Sequence, residues 1–132
     1  MQVTTGVDLI EVERIKDAIE EMGNSFLERI YTQKEIDYCE KSGKMKYQHY
    51  AARFAAKEAV FKSLSRYLNG REDTLWKDIE VLNNEDGRPE ISVSKLNKEK
   101  LRNLQSIDIS LSHIKEYAIA SVVAVFEDKT EK

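Results

Sequence analysis

Arg53-Phe54-Ala55-Ala56-Lys57-Glu58-Ala59-Val60-Phe61-Lys62 lies in the middle of the longest helical run of the chain, residues 47–68. Phe54, Phe61 and Leu64 recur at helical spacing, and Val60 pairs with Leu64 at i, i+4. This predicts a helix with one apolar face. Lys57 falls between Phe54 and Phe61 on that stripe, and Glu58 and Lys62 stack one turn apart along its edge. Two readings are open at this point. One is a snorkelling lysine beside a surface ion pair. The other is a carboxylate and three cations, half-sunk in an apolar helix, that grip a metal and a polyphosphate.

Upstream, residues 3–8 read as a short strand that stops at Asp8, with Gly6 permitting tight packing or a bulge. The period then changes. Val12, Ile15, Ile19 and Met22 predict an amphipathic helix ending near Gly23, and Phe26, Leu27 and Ile30 a second short turn. Thr32 and Glu35 have capping-box spacing, so a helix through Ile36 and Cys39 should follow and end near Gly43. Downstream, Asn69-Gly70 ends the long helix, and residues 78–82 alternate like a strand. The turn formers of 83–89 and the alternation of Ile91 and Val93 predict a hairpin. Residues 95–105 are expected to form a short helix with Leu101 and Leu104 inward. Ile107, Ile109 and Leu111 mark a half-buried strand. The last strand, 117–126, is apolar on both faces, which suits a central strand or one that meets another subunit. The charged tail 127–132 should fray. Irregular alternation of helices and strands with late hairpins makes the class α+β rather than a doubly wound parallel sheet.

With 132 residues the chain is expected to be a single domain, 1–132, and 41% hydrophobic with 34% charged residues fits a globular protein. No run reaches the roughly 20 apolar residues of a membrane span, and without a charged region followed by an apolar one among the first residues export is not expected. The single Cys39 cannot form an internal disulfide, which suits a reducing cytosol, and it reads as packing. A cytoplasmic protein without membrane contact is expected. A formal net charge of −3 argues against bulk nucleic-acid binding but leaves room for a local cationic pocket. Asp8 at a strand end and Glu58 on a helix edge are a typical protein contribution to a Mg²⁺ site, the remaining oxygens coming from water and phosphate.

Gly6-Val-Asp8-Leu-Ile-Glu-Val-Glu-Arg14-Ile15 resembles the opening motif of the holo-acyl-carrier-protein synthases, the small class of phosphopantetheinyl transferases. The run from Phe26 through Arg29 and Thr32 to Glu35 is similar to the family's second block, and Arg53 to Lys62 to its signature segment. Trp76-Lys-Asp78-Ile-Glu80-Val, Gly87-Arg-Pro89 and Ser110-Leu-Ser112-His113 through Tyr117 match later blocks in order. The resemblance covers about residues 3–126 and implies a compact α+β domain, a long central helix on an antiparallel sheet, that assembles as a homotrimer with active sites between subunits. It implies that coenzyme A donates its phosphopantetheine arm to a serine of an apo acyl carrier protein, and that adenosine 3′,5′-bisphosphate leaves. Asp8 and Glu58 would hold Mg²⁺, Glu58 would take the serine proton and Lys62 would face the pyrophosphate. Arg53 and Lys57 are implied contacts to coenzyme A phosphates, with a structural role as the alternative for each. Ser112 and His113 would meet the nucleotide end, and Arg14 and Arg29 the carrier protein. A turn histidine bonded to backbone is the other reading of His113, and a Ser110–His113 hydrolase pair lacks a third orienting group.

The chain departs from the family pattern at Ser63-Leu64-Ser65, where alanine, leucine and a glycine are usual. Serine replaces glycine without strain only where φ stays negative. Glu20 and Glu21 also make the first helix less basic than an acidic partner favours. The alternative function is a non-catalytic carrier-protein binder with an impaired coenzyme A loop. A plain oligomeric scaffold is the third reading.

Overall fold

The structure, a computed structural model, describes residues 1–70 and 76–128. The element order is β1 (Gln2–Glu11), α1 (Val12–Met22), α2 (Asn24–Ile30), α3 (Gln33–Glu40), α4 (Lys46–Leu64), β2 (Glu80–Asn83), β3 (Pro89–Ser92), β4 (Leu104–His113) and β5 (Tyr117–Phe126). Strands β1, β5 and β4 form an antiparallel sheet in that order, and β2 and β3 form a separate hairpin. The expected α+β class and the long helix on an antiparallel sheet are what the structure shows. The strand apolar on both faces, β5, is the central one.

Helix α4 lies across one face of the three-stranded sheet. Small residues make this approach close: Ala55, Ala56 and Ala59 from the helix meet Ala120, Val122 and Ala124 from β5 in one buried cluster. At Gly6 on β1 there is no room for a side chain, because a Cβ there would lie 2.0 Å from the Ala59 carbonyl oxygen. The helix is therefore buried nearly all round, from Tyr50 to Leu64. The expected stripe of Phe54, Phe61 and Leu64 is not its core face. Leu64 is buried, but Phe54 and Phe61 are half-exposed, since the alanines carry the contact with the sheet. The first half of α4 closes a second cluster with α1, α2 and α3, through Ile15, Phe26, Tyr31, Cys39 and Tyr50.

Four boundaries differ from expectation. Strand β1 does not stop at Asp8 but runs to Glu11, because pairing with β5 continues through Leu9, Ile10 and Glu11. Helix α4 ends at Leu64 rather than 68, where the Ser65 hydroxyl donates to the Lys62 carbonyl (3.1 Å) and Tyr67 N–H to the Leu64 carbonyl (2.9 Å). Serine side chains compete in this way for carbonyls that would continue a helix. Ser65 keeps φ at −60°, so it stands there without the strain that a positive φ would impose. Residues 95–105 form turns rather than a helix. The Asn97 side chain accepts from Lys100 N–H (3.1 Å), single bonds close on Val93 and Leu101, and Leu104 already opens β4. Leu96 and Leu101 are still buried, as knobs on turns. Asp78 belongs to a 3₁₀ turn, Trp76–Asp78, and the hairpin strand begins at Glu80. In the tail, Glu127 N–H is tied to the Asn103 carbonyl (2.8 Å), and positions 129–132 lie outside the described residues.

Thr32 caps α3 as its spacing predicts, with the Glu35 carboxylate returning to the Thr32 N–H (2.8 Å). The same carboxylate is fully buried. It pairs with the Lys57 ammonium (2.8 Å) and accepts from Val81 N–H (2.7 Å). Lys57 completes its three donors on the carbonyls of Trp76 (3.0 Å) and Ile79. One ion pair thus locks α3, α4 and the start of β2 together. Burial pushes the Lys57 pKa down, opposed by the attraction of Glu35. Removing one partner of such a pair strands the other charge. Lys57→Met should therefore lower unfolding stability by about 3 to 5 kcal/mol, read from the denaturant midpoint. A midpoint equal to wild type would contradict this role.

The outer face of the sheet is not covered. Val3, Val7 and Leu9 on β1 and Tyr117, Ile119 and Val123 on β5 are 39% to 61% exposed. Register places Leu9 beside Ile119 and Thr5 beside Val123. On β4 the same face carries Ser106, Asp108, Ser110 and Ser112, all exposed.

Candidate active site

Asp8 and Glu58 are fifty positions apart in sequence and meet on one cleft. Asp8 stands on the helix-facing side of β1, two residues beyond Gly6, and Glu58 precedes Ala59 on α4. The Gly6–Ala59 contact therefore sets how closely the two carboxylates approach. They line a cleft of about 310 Å³ with Arg14, Phe54, Tyr117 and the end of β1. Lys62, one turn beyond Glu58, reaches across to β1. Its ammonium donates to Asp8 Oδ1 (3.1 Å) and to the Val7 carbonyl (3.0 Å). Helix α4 thus presents Glu58 and Lys62 on adjacent turns, as the four-residue spacing predicts. Among the described residues, no group of three or more His, Cys, Asp or Glu side chains is placed to hold a metal. Two carboxylates fit a Mg²⁺ ion that takes most of its oxygens from phosphate and water.

Arg53 and Lys57 part company. Lys57 is sealed in the core with all its donors used, so the expected contact to a coenzyme A phosphate is corrected: its role is to tie α3 to α4. Arg53 is only 2% exposed but borders a second cleft, of about 410 Å³. Its guanidinium lies over the Tyr38 ring, 4.2 Å from the centroid, and donates to the Asn83 side-chain oxygen. Its Nε is buried without a hydrogen-bond partner. His113 from the end of β4 borders the same cleft, with Nδ1 against Gln48 Oε1 (2.8 Å). Its partner is thus a side chain rather than the backbone.

Ser112 and His113 stand on opposite faces of β4, since successive strand residues alternate. His113 faces the helix side, half-buried, while Ser112 is exposed on the outer face beside Ile119. The two are not side by side. The same alternation separates Ser110 from His113, which removes the hydrolase pair. Arg14 on α1 lines the carboxylate cleft, and Arg29 is exposed in the last turn of α2. Cys39 is fully buried, and burial raises its thiol to about 12, so it packs and does not react.

Sequence reasoning missed four residues of the second cleft: Tyr38, His49, Asn83 and Arg88. His49 precedes Arg53 by one helical turn, a signal present in the spacing. Nothing in sequence places Tyr38 or the β2–β3 turn beside them, because that depends on how α3 and the hairpin pack.

The helix-on-sheet domain belongs to the 4′-phosphopantetheinyl transferase superfamily, whose model matches residues 4–122. Within it, this chain belongs to the holo-[acyl-carrier-protein] synthase family. The holo-[acyl-carrier-protein] synthase of Ruminiclostridium cellulolyticum is 42% identical over 97% of this chain and 96% of its own. That of a Thermoanaerobacter species is 39% identical over 99% of this chain and 93% of its own. The crystal structure of the Helicobacter pylori synthase in complex with coenzyme A superposes with a TM-score of 0.77 at 31% identity, covering 92% of this chain and 99% of that one. A Bacillus anthracis synthase in complex with CoA (3′,5′-ADP) gives 0.74 at 32%, covering 92% and 94%.

Proposed function

We propose that this chain transfers the phosphopantetheine arm of coenzyme A to a serine hydroxyl of an apo acyl carrier protein, releasing adenosine 3′,5′-bisphosphate. The observation that carries the reading is that Asp8 and Glu58 line one cleft while Lys62 bonds Asp8 from the next helical turn. Asp8 and Glu58 would hold Mg²⁺, which when bound neutralises pyrophosphate oxygens and favours phosphoryl transfer. Glu58 accepts the serine proton, directly or through a water. Lys62 exchanges its bonds to Asp8 and Val7 for the pyrophosphate as substrate enters. Phosphoryl transfer asks mainly for position and for neutralised oxygens, and a helix edge facing a paired strand supplies both. Arg53 and His113 hold the nucleotide end in the second cleft. Chromatography of a reaction with Mg²⁺, coenzyme A and an apo carrier protein should show adenosine 3′,5′-bisphosphate released one for one with carrier consumed. Carrier binding without release would favour a non-catalytic binder.

We further propose a homotrimer. The uncovered apolar face of β1 and β5 supports burial against other copies, a face larger than scattered single apolar residues would make. Ser112, exposed on that face, then meets the nucleotide end only across a subunit boundary. Sedimentation equilibrium at micromolar concentration should give three times the chain mass. A stable monomer would contradict the arrangement.

Arg14 and Arg29 are the carrier-docking residues of this reading. Both are exposed, and arginine pairs bidentately with carboxylates. Glu20 and Glu21 are exposed on the same α1 helix and oppose an acidic partner. Arg29→Glu should raise the KM for carrier about tenfold and leave the KM for coenzyme A nearly unchanged, whereas Arg14→Glu should raise both, because Arg14 also lines the carboxylate cleft. Glu21→Lys should lower the carrier KM, with the gain fading as salt rises, since screening acts over about 10 Å at 0.1 M. An unchanged carrier KM in Arg29→Glu would move the docking face elsewhere.

A further inference from the structure

The second cleft holds more cationic chemistry than Arg53 and His113 alone. His49 lies on α4 one turn before Arg53 and borders the cleft with Tyr38, Arg88 and His113. Its ring stands edge-on to His113, with centroids 5.3 Å apart, and edge-on to Tyr38 at the same distance. Arg53 is held by Tyr38 and Asn83, yet its buried Nε has no partner. Two histidines and two arginines share one concave surface, with two fixed and two conditional positive charges.

We propose that His49 is a phosphate-binding residue of this cleft, and that it takes up a proton as a phosphoryl group enters. This rests on the transferase reading. In that reading the pyrophosphate belongs to Asp8, Glu58 and Lys62, so the phosphate left for the second cleft is the ribose 3′-phosphate of coenzyme A. The charged and titratable groups facing His49 are Arg53 from its own helix and Arg88 from the β2–β3 turn, with the His113 ring from β4 and the Tyr38 phenol from α3. Without a ligand the arginines favour the neutral ring. Burial, then Arg53, then His113 hold its pKa below the ordinary 6.5. A dianion reverses the balance, because opposite charge favours the protonated ring. Linkage fixes the sign. A ring whose pKa rises on binding makes binding stronger as pH falls through the bound-state value, down to the free-state value. His113 keeps Nδ1 on Gln48, so its other nitrogen is the one left for a ligand.

The test is coenzyme A affinity by calorimetry at pH 6 and pH 8, for wild type and His49→Phe. Phenylalanine keeps the ring contacts with Tyr38 and His113 and removes the ring nitrogens, so weaker binding at every pH reports the lost phosphate contact and the changed pH ratio reports the lost titration. The 3′-phosphate itself gains charge over this range, so the comparison between proteins isolates His49. The ratio of Kd at pH 8 to Kd at pH 6 should be about tenfold larger in wild type than in His49→Phe. With 3′-dephospho-coenzyme A the two proteins should give equal ratios. The NMR titration of His49 should move to higher pH when coenzyme A is added. Equal ratios with coenzyme A itself, or an unmoved His49 titration, would overturn the inference and leave the transferase reading standing. No coenzyme A binding at any pH would overturn both.

Discussion

Gly6→Ala should prevent β1 from closing on α4. The added methyl would lie 2.0 Å from the Ala59 carbonyl oxygen and 2.9 Å from Ser63 N. Both are backbone atoms in the buried last turns of α4 and have no rotamer to change. Relief requires the strand or the helix to move as a body, and overpacking of this kind costs about 3 kcal/mol or more. The movement also separates Asp8 from Glu58, which stand beside the contact on either side. Activity should therefore fall further than the folded fraction does. Thermal denaturation and transfer rates on the same sample separate the two losses. Gly43→Ala is the control. A Cβ there meets nothing within 4 Å, and only its φ of 58° opposes the change, at a cost of about 1 kcal/mol. Equal melting temperatures and rates for wild type and Gly6→Ala would show that the seam between strand and helix is elastic and does not set the site.

Asp8→Ala should leave the fold intact and remove most of the chemistry. Its side chain is 17% exposed, and its partner Lys62 is 51% exposed, so the ion pair contributes little to stability. In the transferase reading Asp8 supplies one of two protein oxygens to the metal. Its loss should lower kcat about a thousandfold with an unchanged melting temperature, on the scale of removing one group that stabilises transition-state charge. Wild-type Mg²⁺ affinity, measured by calorimetry, should rise when coenzyme A is present, because two carboxylates leave most metal positions to phosphate and water. Equal Mg²⁺ binding with and without coenzyme A would contradict a shared site, and so would full activity in Asp8→Ala.

Local signals carried most of the fold. Thr32 and Glu35 announced their helix because a capping box acts within four residues. The alternation in β4 and β5 announced strands because the side-chain period is two. Residues 95–105 misled because widely spaced leucines can be buried from single turns as well as from a helix. What no local pattern contains is the partner of a long-range contact. Lys57 lies in the same segment as Glu58 and Lys62, yet its environment depends on Glu35 and on two carbonyls beyond the helix. A lysine buried by α3 and a lysine facing phosphate look alike in a one-dimensional stripe. Asp8, Glu58 and Lys62 were found through the resemblance, since spacing alone distinguishes them weakly from the other pairs among 24 acidic residues. His49 was legible as a neighbour of Arg53 on one helix face but not as a neighbour of His113. That contact is made by the packing of α4 against the end of β4.

In the transferase reading the cleft of Asp8 and Glu58, with Lys62 bonded to Asp8, moves phosphopantetheine from coenzyme A to a carrier-protein serine. Intact-mass spectrometry of an apo carrier protein incubated with this chain, coenzyme A and Mg²⁺ should show a gain of one phosphopantetheine, located on a single serine by peptide mapping. No gain is expected with chelator or with Asp8→Ala. A carrier protein of unchanged mass after incubation with the folded wild-type chain, Mg²⁺ and coenzyme A would contradict this reading.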